Sequence, residues 1–249
     1  MAIYIGTSGW AHKEWGKKFF PKEVTHKKQL AYLADHFNTV EVNATFYRNQ
    51  TEETFKKWVS ETPDDFVFAV KVSRYITHIK RLKKFDPYWK RFAEPTRGLG
   101  KKRGPFLVQL PPSWDGREEN RERLNAFLGT ARKVAKGARF AVELRHKDCF
   151  SEEMFTVLRK HNAALVIANS AKYPNPPVVE TADFGYFRLH GPRKLFASSY
   201  RDDELREQAK QMRKFIRGGK DLFVYFNNDM HAYAPANAKL LQKLLKAPR

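Results

Sequence analysis

Acidic, basic and amide side chains sit at every second position in several short apolar segments of this chain. Glu41 and Asn43 alternate with Val40 and Val42 in TVEVN, and Ala69, Lys71 and Ser73 alternate with valines in FVFAVKVS. Gln109 lies in FLVQL, Glu143 and Arg145 in FAVELR, Arg188 and His190 in FGYFRLH, and Tyr225 and Asn227 in LFVYFNN. Two carboxylates with unequal cationic neighbours can divide into a general acid and a general base. Glu143, two residues before Arg145 on the same face, is the expected ionised member and base. A desolvated lysine such as Lys71 can form a Schiff base or bind an anion. Arg145 and Arg188 carry planar forks suited to phosphate or carboxylate. A divalent metal on Glu41, Glu143 and His190, with His146, Asp229 or His231, is open but not favoured, because the cations nearby oppose it. Cys149, the only cysteine, reads as a packing residue, and Ser8 and Ser73 lack an evident triad. The chain has no HExxH, P-loop, GxGxxG or GxSxG motif, hence no nucleotide-cofactor signature.

Such a set of side chains needs a frame that turns alternate residues toward one place. Eight β-type runs recur, at 3–6, 38–43, 66–72, 106–110, 140–145, 164–169, 184–190 and 222–228. Helical spacing fills most intervals: Leu30, Leu33, Ala34 and Phe37; Phe55, Trp58 and Val59; Leu124, Phe127, Leu128, Ala131 and Val134; Leu205, Ala209, Met212 and Ile216. Ser151 before Glu152 and Glu153 reads as a helix N-cap, and Pro235 suits the first turn of a last helix. Eight strand–helix alternations predict an α/β fold, a (β/α)8 TIM-type barrel in one domain over residues 1–249. An open doubly wound sheet would show continuous apolar strands instead. The stretch 170–183 holds three prolines and no helical period, so the helix after strand six is expected to be irregular or missing. The long stretch 73–105 has room for an extra helix. In a barrel the polar strand ends converge on the C-terminal mouth, where this fold carries its chemistry.

The balance of 47 Lys+Arg against 27 Asp+Glu gives a formal charge of +20. That field favours polyanions and phosphorylated metabolites. Lys80, Arg81, Lys83, Lys84, Lys90 and Arg91 are interleaved with Tyr75, Phe85, Tyr88, Trp89 and Phe92, a pattern compatible with single-stranded nucleic acid or with a solvated basic face. Apolar residues make up 42%, enough for a large core and too many for a disordered chain. No apolar run reaches a membrane span, and the first residues lack a basic segment followed by an apolar one. With one cysteine, these features fit the cytoplasm.

The ordered motifs IGTSGW, TVEVNATFYR, FAVKVSRYITHIKRL, GPFLVQLPPSW, AVELRH, ADFGYFRLHG and VYFNND resemble the YecE-like family, a domain of unknown function. The resemblance runs from Ile5 to about Leu245. It implies a TIM-type barrel and no established reaction. It places family motifs at Glu41, Asn43, Tyr47, Lys71, Thr77, His78, Gln109, Glu143, Arg145, His146, Arg188, His190, Asn227 and Asn228. Two positions depart from the family pattern: Asn169, where an Asp is frequent, and Cys149, near a usual Trp. Combining alternation with resemblance gives Glu41, Glu143, Lys71 and His190 as the expected catalytic residues. Asn43, Tyr47, His78, Gln109, Arg145, His146, Arg188, Tyr225, Asn227 and Asn228 are the expected substrate contacts. The expected function is acid/base catalysis on an anionic substrate, either a phosphorylated small molecule or nucleic acid, by a hydrolase or an isomerase/lyase. The alternative is a barrel that binds nucleic acid through its basic surface without chemistry.

Overall fold

A computed structural model describes residues 1–247. Eight parallel strands close a barrel in chain order: β1 (Ile3–Ser8), β2 (Thr39–Val42), β3 (Val67–Lys71), β4 (Arg103–Gln109), β5 (Phe140–Glu143), β6 (Ala163–Asn169), β7 (Phe184–Leu189) and β8 (Asp221–Phe226). Around them run α1 (Gln29–Ala34), a single turn α2 (Ala44–Tyr47), α3 (Glu52–Ser60), α4 (Asp86–Ala93), α5 (Glu118–Val134), α6 (Glu152–Lys160), α7 (Asp202–Arg217) and α8 (Tyr233–Leu245). The prolines of 170–183 do what their fixed φ dictates: no helix connects β6 to β7. The extra helix expected in 73–105 is α4, flanked by a π-turn at Tyr75–Ile79 and a 3-10 segment at Glu94–Lys102. Among the described residues no helix is long and apolar enough to cross a membrane.

Local sequence explains the helix ends. The Ser151 hydroxyl accepts the Met154 N–H and caps α6, and Thr51 does the same for α3 through Thr54. Acidic first turns and basic last turns follow the helix dipole in α5, α6 and α7. Apolar stripes then pack on the barrel exterior, burying Leu33, Phe37, Phe55, Leu124, Phe127, Met212 and Leu241. Val134, expected in the α5 stripe, is instead 40% exposed at the helix end. Trp89 packs among Phe92, Phe106, Phe127 and Phe140. Phe85, Trp89 and Phe92 are therefore core residues, leaving only Tyr75 and Tyr88 of that basic–aromatic stretch for the surface.

The barrel interior is a separate cluster: Ala69, Leu107, Ala141, Ala164, Val166, Ala168, Phe184, Tyr186, Phe223 and Tyr225. Four of these are alanines, which leave room for longer side chains one layer nearer the mouth. β1 runs two residues further than its apolar run, so Thr7 and Ser8 belong to the strand rather than to a loop. Gly6 lies where a Cβ would stand 2.0 Å from the Thr39 carbonyl oxygen, so β1 can approach β2 only with glycine there. A methyl at Gly6 meets fixed backbone. Gly6→Ala should lower unfolding free energy by about 1–3 kcal/mol in a denaturant titration. Gly16→Ala, whose Cβ would sit 3.5 Å from the nearest atom, should stay within about 0.5 kcal/mol of the parent. Equal effects would contradict the close approach of β1 to β2.

Candidate functional site at the barrel mouth

Arg188 projects from β7 into the barrel with no solvent exposure. Its Nε donates to Glu41 Oε2 at 2.9 Å and its Nη2 to Glu41 Oε1 at 2.6 Å, a bidentate fork on β2. Its Nη1 donates to Glu143 Oε2 on β5. Glu41 also accepts from the Ser8 hydroxyl at 2.8 Å and the Tyr186 hydroxyl at 2.7 Å. Glu143 Oε1 accepts from Gln109 Nε2 at 3.0 Å and Arg145 Nε at 2.6 Å. Glu41 thus accepts four hydrogen bonds and Glu143 three. Burial alone would raise their pKa values, but cations outweigh it: Arg188 lowers Glu41, and Arg145 with Arg188 holds Glu143 well below the ordinary range. The expected split into one acid and one base is not present, since both are held ionised by the arginines. Arg188 is likewise no open fork for a ligand, because its donors are spent on the two glutamates. Arg145, 10% exposed, pairs with Glu143 and lies 4.2 Å over the Tyr173 ring.

His190 is buried beside this frame. Its Nδ1 lies 3.2 Å from Asn227 Oδ1 and its Nε2 3.4 Å from Arg188 Nη1. Nε2 also lies 3.7 Å from Glu143 Oε1; because an arginine only donates and Asn227 Oδ1 only accepts, we assign the hydrogen to Nδ1 and the lone pair to Nε2. Burial and then Arg188 lower its pKa, so the ring is a neutral support.

Above this layer opens a cavity of about 650 Å³. Ser8, Asn43, Lys71, Asn227 and Asp229 line it together with the rings of Trp10, Tyr47, Trp58 and Phe196 and the charged Lys27, Lys57 and Glu61. Among the described residues the Lys71 amine has no hydrogen bond or ion pair, and it stands 4.3 Å from the centre of the Phe46 ring. Burial, reinforced by Arg188, lowers it from 10.5 to about 7. His78 stacks edge-on to the same Phe46 ring and is pushed to about 4, by burial and then by Lys71. Asp229 accepts from Asn227 Nδ2 at 2.8 Å through Oδ2, while its Oδ1 is buried without a hydrogen-bond partner, 3.8 Å from His12 Nε2. Burial raises that carboxyl to about 7. Asn43 Oδ1 is a second buried acceptor without a partner.

Most residues singled out in the sequence therefore meet. Glu41, Glu143, Gln109, Arg145, Arg188, His190 and Asn227 form one network, Lys71, Asn43 and Tyr47 line the cavity above it, and His78 adjoins through Phe46. Three do not join. Tyr225 sits one layer below, its hydroxyl 2.7 Å from Thr39 Oγ1. His146 follows β5 and accepts the Asp148 N–H at the turn Lys147–Cys149. Asn228 alternates away from the interior and donates to Ser198 O and Asn237 Oδ1. Glu41, Glu143 and His190 face Arg188 rather than an open coordination position. No three His, Cys, Asp or Glu side chains are grouped for a metal among the described residues. Cys149 is buried, donates to Trp114 O, and burial pushes its thiol up to about 12. Asn169 accepts the Tyr200 hydroxyl at 2.8 Å.

Sequence reasoning did not include Ser8, Trp10, His12, Trp58, Phe196 and Asp229 among the substrate contacts. The loops after β1 and β8 face the mouth in any such barrel, and that rule points to His12 and Asp229. Phe196 has no comparable signal: it reaches the cavity with φ 62°, held by its N–H to the His190 carbonyl at 2.7 Å.

Comparison with known proteins agrees with this architecture. A family model described as "Protein of unknown function DUF72" matches residues 4–249. The protein YunF of Bacillus subtilis is 26% identical over an alignment covering 98% of this chain and 94% of its own. YecE of Escherichia coli K12 is 29% identical over 60% of this chain and 51% of its own. The crystal structure of a DUF72 family protein from Thermotoga maritima superposes with a TM-score of 0.88 at 27% identity, covering 99% of this chain and 100% of that one. The barrel, its ordered strand-end motifs and these matches lead to one assignment: the chain belongs to the DUF72 family.

Proposed function

We propose that the mouth cavity is the active site of an enzyme acting on a small anionic, hydroxylated substrate, with Lys71 and Asp229 as its proton-exchanging groups. The observation that carries this reading is the charge balance of the floor. Glu41, Glu143, Arg145 and Arg188 satisfy one another, and among the described residues the buried Lys71 amine that lines the cavity has no hydrogen bond or ion pair. A substrate anion supplies the missing counter-charge. Asn43 and Asp229 line the cavity, and the buried, unpartnered Oδ1 of each is an acceptor left for a substrate hydroxyl. Lys71 and Asp229 both titrate at about 7, the range in which a general acid or base works best at neutral pH. The glutamates serve in this reading as positioning groups that hold Arg188, and the arginine in turn sets the Lys71 amine.

Sulfate keeps its charge across the relevant pH range and is the probe of choice. The anion-competent form has Lys71 protonated, so apparent affinity scales with that fraction. With a Lys71 pKa of about 7, calorimetry should give roughly tenfold tighter sulfate binding at pH 6 than at pH 8. Lys71→Met should abolish both the binding and its pH dependence. The variant should fold. The folded state binds the Lys71 proton less tightly than the unfolded chain, so charging it costs stability. Removing it stabilises fully below pH 7, and the gain fades as pH rises toward 10.5. Sulfate affinity equal at both pH values and unaffected by Lys71→Met would contradict the site. A metabolite panel screened with and without EDTA then finds the reaction, which Lys71→Met and Asp229→Asn should each remove.

A specific feature supports nucleic acid as a second reading. Beside the mouth lies a cleft of about 500 Å³ lined by Tyr47, Arg48, Tyr75, Tyr88 and Arg91. Tyr47 is 80% exposed, and the Lys80 amine stands 5.6 Å and 5.3 Å over the Tyr75 and Tyr88 rings. Exposed rings beside cations are stacking platforms for unpaired bases. If the cleft holds a strand, a thymidine oligomer should bind with affinity that falls steeply with salt. Replacing Arg48, Lys80 and Arg91 with alanine should reduce the slope of log K against log salt by about 2. No binding at low salt, or an unchanged slope, would remove this reading.

A further inference from the structure

The chain buries two lysines, and their surroundings differ. The Lys102 amine donates to Val59 O and Thr62 O, both at 2.8 Å, and is held as a structural ammonium. Lys71 is also buried, but its amine bonds to nothing among the described residues. Its strand end is fixed, since the Thr45 hydroxyl donates to the Lys71 carbonyl at 2.7 Å. Its amine lines the cavity and meets a ring face; the charges that act on it are Arg188 and Arg145, which oppose its protonation, and Glu41 and Glu143, which favour it, with burial and Arg188 the larger influence. Desolvation beside another cation is the arrangement that leaves a lysine amine nucleophilic. The Phe46 ring covers the amine from 4.3 Å, and Trp10, Tyr47, Trp58 and Phe196 share the cavity with polar side chains.

We propose that Lys71 is a covalent site, its Nζ condensing with the carbonyl carbon of a small anionic aldehyde or ketone held in the cavity. This rests on the reading of the cavity as an anion site. The neutral amine's lone pair forms the C–N bond, and the carbonyl oxygen takes a proton to give a carbinolamine. The nitrogen gives up one proton, the C–O bond breaks, and the hydroxyl leaves as water with a proton from an acid. Overall, amine, carbonyl and one proton give an iminium and water, with no change of oxidation state. Asp229, which lines the same cavity with a buried and unpartnered Oδ1, is the acid placed for that departure. An iminium restores positive charge beside Arg188 and Arg145. A substrate carrying its own negative charge offsets this, and a neutral carbonyl compound does not.

Borohydride reduction converts such an iminium to a stable secondary amine. The full chain is incubated at pH 7 with glyoxylate, pyruvate or glyceraldehyde 3-phosphate, reduced, and mapped by peptide mass spectrometry. At least one of these should give a single adduct on Lys71, formed at least tenfold faster than on any other lysine and faster than with neutral acetone. Lys71→Arg should remove that adduct and leave slow labelling elsewhere unchanged. Labelling spread over exposed lysines, with Lys71 no faster than the rest, would overturn the proposal, as would no adduct with any of the three. If sulfate still binds with its pH dependence when trapping fails, the covalent step alone is wrong. If sulfate binding is also absent, the anion site falls with it.

Discussion

The guanidinium of Arg188, buried with a carboxylate on either side, is the interaction on which the rest of the mouth depends. It joins β7 to β2 through Glu41 and to β5 through Glu143. Ion pairs at such depth stabilise little relative to apolar packing, yet removing one partner costs about 3–5 kcal/mol because it strands a buried charge. The pairs therefore fix geometry more than they add stability. The interior alanines of β3, β5 and β6 give the guanidinium its space, and Ser8, Tyr186 and Gln109 donate further hydrogen bonds to its partners. Each group around it then feels a fixed positive charge. That charge helps to keep His190 neutral and works with burial to lower Lys71, and Lys71 in turn depresses His78.

The cavity above this frame is built on the strand ends Ser8 and Lys71 and walled mainly by the segments that follow the strands. Trp10 follows β1, Asn43 and Tyr47 follow β2, and Asp229 follows β8. In the loops after β7 and β8, Phe196, His231 and Ala232 take left-handed backbone. Residues with a Cβ keep such conformations where surrounding bonds over-determine them. Here the Met230 N–H bonds to the Phe196 carbonyl, and the His231 N–H bonds to Glu14 Oε2 at 3.0 Å. The two loops thus brace each other across the mouth, which seats Phe196 and Asp229 on the cavity.

The strands and their inward polar residues were legible in the sequence because a period of two in eight segments has few other solutions. Alternation placed Glu41, Lys71, Glu143 and Arg188 inside, but it could not say which charges would pair. Arg188 takes Glu41 from three strands away around the closed barrel, and that follows from closure and register rather than from any local pattern. The same alternation contains the correction for Asn228: if Asn227 points in, its neighbour points out, and it does so to hold Ser198 and Asn237. The cavity wall was less legible. Trp58 comes from α3 and Phe196 from a loop, and their place depends on tertiary packing that no sequence period encodes.

The central claim is that burial and the Arg188 frame hold the Lys71 amine near neutrality inside the cavity. The direct measurement is an NMR titration of the lysine side chains in protein labelled at lysine Cε, with Lys71→Arg used to assign the signal. The account predicts one lysine resonance that moves with a midpoint near pH 7 and disappears in the variant. A Lys71 resonance that titrates with the exposed lysines, near 10.5, would contradict it.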